Sequence, residues 1–177
     1  KNAVDGASYR PGDVVTQYGG RTVEIGNTDA EGRIVLADAL AYADAALDPT
    51  VLVDVATLTG AARIALGRTI APVFATDAAL GAALEAAGAT TGETLWPMPL
   101  AQTYRRALDS DVADVAHIAP GVGGGAVTAA LFLREFVGDR PWAHLDIAGT
   151  GRSDVDAGTS AKGATGLTET TSQYMVS

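Results

Sequence analysis

At 177 residues the chain is long enough for one domain with a substantial core and too short for two comfortable ones. Hydrophobic residues make up 47% and charged residues 19%, a globular balance, and a net charge of −9 argues against a nucleic-acid backbone or an anionic membrane as main partner. There is no Cys, which excludes disulfides, thiol nucleophiles and thiolate-bound zinc; with only two His, any metal must be held mainly by oxygen. No apolar run reaches the ~18 residues of a membrane span, so the cytoplasm is the expected compartment.

Residues 1–12 are turn-rich and read as a loop. Two short β-prone runs flank Gly19-Gly20, a hairpin signal. The stretch "NTDAEGR", residues 27–33, comes next, with Asp29, Glu31 and Arg33 at alternate positions. Thr28 and Glu31 fit a capping box that opens a helix. An extended chain would instead turn all three charged side chains to one side, where two carboxylates need a cation to offset their repulsion. Both readings stand on spacing alone. From Ile34 to Leu47 the composition suits a mostly buried helix, which Pro49 stops. Residues 51–55, "VLVDV", read as a buried strand leading into "ATLTG", and residues 70–76 as a second. A helix follows, with Asp77 as N-cap and Gly88 as C-cap.

"WPMPL" reads as a Pro-limited turn before a short helix, and "GVGGGA" as a glycine-rich start to a helix ending near Gly138. "PWAHLDIAGTG" supplies a third buried strand. Strands alternating with helices point to an α/β fold with a parallel or mixed sheet. Ligands collect at the carboxyl ends of such strands, so "TLTG" and "AGTG" are expected to share a crevice with the charged stretch.

Other candidates are weaker. "GVGGGA" matches a loose dinucleotide pattern, but Pro120 precedes it where a strand is required. His117 and His144 sit among apolar residues, as core histidines do. Ser8, Ser110, Ser153 and Ser160 lack a nucleophile elbow. Asp109, Asp111 and Asp114 read as a solvated helix end, and Lys162 as either a binding-loop lysine or part of a turn.

The block "NTDAEGR" resembles the signature of the leucyl aminopeptidase family of two-metal cytosolic aminopeptidases. The resemblance continues through "RPGDVV", "DVATLTGA", "YRRALDSDVADVAHI", "AVTAALFLREFV", "PWAHLDIAG" and "KGATG", in unbroken order over about residues 1–166. It implies a three-layer α/β sandwich whose mixed, largely parallel sheet is flanked by helices and is incomplete here. Asp29 and Glu31 would be metal ligands, with Glu31 bridging two ions, and Arg33 the catalytic residue holding a bicarbonate beside the attacking water. Gly32 and Leu58 would offer backbone groups to that anion and to the substrate. Thr57, Thr59 and Gly60 would line the cleft, and Ala148 the side-chain pocket.

The implied cofactors are two divalent ions, Zn, Mn or Mg, together with bicarbonate. The implied substrate is a peptide with a free N-terminus, cut by a two-metal-activated water, in an enzyme that forms homohexamers. No nucleic acid and no membrane is expected as a partner. The family's metal-binding lysine, further aspartates and second catalytic lysine have no counterpart here, since Lys1 and Lys162 are the only lysines. Residues 1–177 therefore read as a C-terminal segment of the catalytic domain carrying part of the metal site. The alternative is a non-catalytic binding module that keeps the fold.

Overall fold

A computed structural model describes Gly6, residues 8–156 and 162–167, and Thr171. Lys1, Ser160 and nearly all of the polar tail after Gly166 lie outside the described residues. The strands in chain order are β1 (Val14–Thr16), β2 (Thr22–Glu24), β3 (Leu52–Ala56), β4 (Ala71–Ala75), β5 (Leu95–Pro97), β6 (Val115–Ala116), β7 (Trp142–Asp146), β8 (Arg152–Ser153) and β9 (Gly163–Ala164). The α-helices are α1 (Glu31–Tyr42), α2 (Gly60–Leu66), α3 (Ala78–Thr91) and α4 (Gly125–Arg134). The mixed α/β expectation holds. The chain divides into two compact units, Lys1–Leu52 with Ala101–Arg140, and Val53–Leu100 with Pro141–Ser177.

In the first unit β1 and β2 form the expected antiparallel hairpin across Gly19-Gly20, both at positive φ (84° and 92°), and β6 joins β2 in parallel. Val23, Ile25 and Val115 are fully buried there. α1 buries one stripe, Ile34, Ala37 and Leu40, spaced by three as a helix requires. The expectation of a mostly buried helix is thus corrected: Val35 and Tyr42 are exposed. A π-helical turn, Ala43–Leu47, ends it, with Asp48 in the left-handed region just before Pro49. The Arg140 guanidinium binds Asp44, Asp48 and the carbonyl of Pro49, closing this end of the unit. α4, apolar at nearly every position, is the most buried helix of the unit, and its glycine-rich approach runs through positive φ at Gly121, Gly123 and Gly124. That run follows β6 only after a break at residues 117–120, so the dinucleotide reading fails on its structural requirement.

The second unit carries a four-stranded sheet in the order β3-β7-β4-β5, with β4 antiparallel to β7 and parallel to β5. β7 is buried over its whole length, and Val73, Leu80, Leu84, Leu95 and Leu145 form the core around it. The "VLVDV" strand is real, but not fully buried as its composition suggested. β3 lies at the sheet edge, so Val53 and Val55 are exposed (41% and 40%) while Asp54 points inward. "LWP", Leu95–Pro97, is a strand, so the turn expected at "WPMPL" is corrected at its start: Pro97 is tolerated because β5 is the opposite edge. α3 starts at the Asp77 cap, whose carboxylate accepts the Leu80 N–H at 2.8 Å. It runs past Gly88 to Gly92 (φ 80°). Gly88 is not the cap; a side chain there would strike the Glu93 carbonyl and Leu95.

Candidate functional site

The sequence-predicted residues fall into two groups, one in each unit. In the first unit the chain leaves β2 through Ile25 and Gly26 and makes a 3-10 turn, Thr28–Ala30, that leads directly into α1. The helix-start reading of the charged stretch is therefore the right local geometry, and the extended one is not. The capping residue is Asn27, one position earlier than Thr28: its side-chain oxygen accepts the Asp29 N–H at 2.9 Å. Asp29 and Gly32 are exposed, and Glu31 and Arg33 half-buried, within little more than one turn.

His117 supports this stretch. It is fully buried, its Nε2–H donates to the Asn27 carbonyl at 2.9 Å, and its Nδ1 accepts the Gly26 N–H at 3.1 Å. Its own carbonyl accepts from the Arg33 guanidinium at 2.7 Å. Burial pushes the imidazole below its ordinary pKa, outweighing the Asn27 and Glu24 carbonyls that favour the charged ring. The neutral tautomer with the proton on Nε2 suits the Asn27 and Gly26 contacts, and leaves Nδ1 beside the Glu24 carbonyl at 3.1 Å without a proton to share. His117 is thus a core histidine, as its apolar neighbours suggest, but one whose partners are the backbone before Asp29 and the Arg33 side chain.

In the second unit the organising group is Asp146, at the end of β7 and 1% exposed. Its Oδ1 accepts the N–H groups of Leu58 and Ala148 at 3.0 and 3.1 Å, and its Oδ2 accepts the Thr59 N–H at 3.0 Å and the Thr59 hydroxyl at 2.6 Å. Thr59 Oγ1 in turn accepts the Ala62 N–H and caps α2. The N–H of Leu58 is therefore already given to Asp146. Thr57 and Gly60 are exposed on either side of this anchored pair, and Ala148 is half-buried. "TLTG" and "AGTG" do come together here, as expected. The segment after Asp146 is tight: a side chain at Gly149 would collide with the Gly67 carbonyl, and one at Gly151 would sit 3.4 Å from the Thr57 methyl. A cavity of about 590 Å³ in this unit lies beside Arg68, Thr150, Arg152 and Asp154, and Thr57, Leu58, Thr59, Gly60 and Ala148 do not line it.

Asn27, His117 and Asp146 were not singled out by sequence patterns as parts of the site. A signal existed for Asp146: an acid closing an apolar strand is costly unless several donors converge on it. Finding the Leu58 and Thr59 donors required knowing what lies 87 or 88 residues away.

The oxygen-rich composition and the pair Asp29 and Glu31 suit a hard or borderline divalent cation. Such ions take four or more ligands. Among the described residues no group of three or more His, Asp or Glu is placed to hold a metal. The carboxylates present are a partial ligand set and do not by themselves fit a complete centre.

Each of the two units carries one of these residue groups, and comparison with known proteins identifies the family they belong to. Residues 1–172 match the model of the cytosol aminopeptidase family, catalytic domain. The chain belongs to that family. It is 56% identical over 150 residues to a probable cytosol aminopeptidase of Nitratidesulfovibrio vulgaris, covering 84% of this chain and 29% of the relative. It is 49% identical over 167 residues to one of Gluconobacter oxydans, covering 94% of this chain and 34% of the relative. Among solved structures, a mutant tomato leucine aminopeptidase is similar with a TM-score of 0.89 at 43% identity, covering 97% of this chain and 33% of that one. The chain thus spans about a third of the length of the curated relatives it matches.

Proposed function

We propose that the chain forms part of a metal-dependent leucine aminopeptidase that removes N-terminal residues from peptides with a free α-amine. The observation that carries this reading is the single helix start presenting Asp29, Glu31 and Arg33, held by Asn27 and His117, in a member of the cytosol aminopeptidase family. Asp29 and Glu31 are two ligands of a larger set for two divalent ions, Zn, Mn or Mg, whose chemistry when bound is to lower the pKa of water and polarise a carbonyl. Arg33 supplies the fixed positive charge for a bicarbonate, and Thr57, Leu58, Thr59, Gly60 and Ala148 supply the substrate-lining surface. The compartment is the cytoplasm and the assembly a homohexamer. Among the described residues no helix is long and apolar enough to cross a membrane. The charge of −9 disfavours nucleic acid as a partner.

A second reading, a non-catalytic module that keeps the fold, is favoured by one observation, the partial ligand set. Hydrolysis of leucine amide with added Mn²⁺ or Zn²⁺, beside Asp29→Ala, separates the two. Turnover lost in the variant supports the aminopeptidase. No turnover in either, with metal uptake that Asp29→Ala abolishes, supports the module.

A further inference from the structure

The geometry points to Asp146 as a positioning residue that locks the Thr57–Gly60 turn and the Ala148 segment into one surface, an inference that rests on the aminopeptidase reading for what that surface binds. Four donors from two chain segments converge on one buried carboxylate: the N–H groups of Leu58, Thr59 and Ala148 and the Thr59 hydroxyl. Ionised carboxylate oxygens accept at about four lone-pair positions, so this set leaves Asp146 no capacity for a ligand. Its part is to fix other groups.

Ile147 N–H bonds to the Ala56 carbonyl at 2.8 Å, which continues the strand pairing but ends one residue before Leu58's neighbour Thr57. The Thr59 hydroxyl is shared: it donates to Asp146 and accepts from Ala62, so the start of α2 depends on the same acid. Asp146→Asn preserves shape but replaces one acceptor oxygen by an NH₂ group. At least one N–H of the cluster must then face another donor.

Amide hydrogen exchange on the whole chain tests the clamp, and titration with leucine amide in the presence of Mn²⁺ tests its role. In the unsubstituted protein the amides of Leu58, Thr59 and Ala148 are expected to exchange at least tenfold more slowly than that of exposed Thr57. Asp146→Asn should lose this protection while β4 amides keep theirs, and should raise the Kd for leucine amide at least tenfold. Asp29→Ala should leave the three amides protected. Unprotected amides in the unsubstituted protein overturn the clamp without recourse to any variant. Loosened amides with unchanged leucine amide affinity in Asp146→Asn overturn the positioning role and leave the aminopeptidase reading standing. Protected amides in an unsubstituted protein that takes up no leucine amide overturn that reading, and the role with it, while the clamp itself remains measured.

Discussion

The two groups of candidate residues are built on opposite plans. At the start of α1 the charges are at least part-exposed, with Asp29 exposed and Glu31 and Arg33 half-buried, and the interior support is a neutral imidazole with backbone partners. At the end of β7 the exposed groups, Thr57 and Gly60, carry no charge, and the charge is inside, on Asp146. The first plan leaves its charged side chains part-solvated, which costs less than burying them. The second spends a buried charge to fix backbone, and buried acids tolerate little change around them. Substitutions inside the second unit should therefore cost more stability than equivalent ones at the α1 start.

The strongest way to break that contrast is Asp54→Ala. Asp54, on β3, accepts from Trp142 Nε1 at 2.8 Å and pairs with His144 Nδ1 at 2.5 Å, all three buried. Removing the acid strands both donors, and urea unfolding should show a loss of about 3–5 kcal/mol. Next is Gly149→Ala, where the new methyl meets the Gly67 carbonyl and the backbone of α2 near Arg63 must give way. We expect about 3 kcal/mol from the same measurement, because the clash is with main chain. If either substitution costs less than His117→Phe, the contrast is wrong.

His117→Phe leaves the Gly26 N–H and the Asn27 carbonyl without their partner, at about 1–3 kcal/mol near neutral pH. Its sign with pH is distinctive. The folded imidazole is held below its ordinary value, so the unfolded chain binds a proton more readily. The His117 contribution is present above about pH 6.5 and lost as pH falls below it, and Phe at this position should flatten that part of the stability profile. The smallest expected effect is Asn27→Ala, about 1 kcal/mol in urea unfolding for the lost cap of the 3-10 turn Thr28–Ala30.

The sequence was most legible where structure is local. The Gly19-Gly20 hairpin, the Asp77 cap and the apolar β4 and β7 follow from neighbouring residues alone. It was least legible where an element's fate depends on its neighbours in space. Val53 and Val55 read as core because edge and centre positions of a sheet share one composition. Pro97 reads as a turn unless β5 is known to be an edge. Gly88 reads as a cap unless the Glu93 carbonyl is known to press on it. In the candidate site the charged stretch was found from its residues and its family resemblance. Its supports, His117 and Asp146, were not, because their partners lie more than 80 residues away.

Gly149 has a consequence for redesign. No side chain fits there, and Gly151 is confined by the Ile147 carbonyl at 3.0 Å and by Thr57. Glycine is thus imposed at two of the four positions after Ile147, and the Ala148 amide is tied to Asp146. A library aimed at changing which side chain the surface accepts gains nothing from randomising 149 and 151. Its diversity in this loop is confined to positions 148 and 150, and at 148 the backbone height is fixed by Asp146.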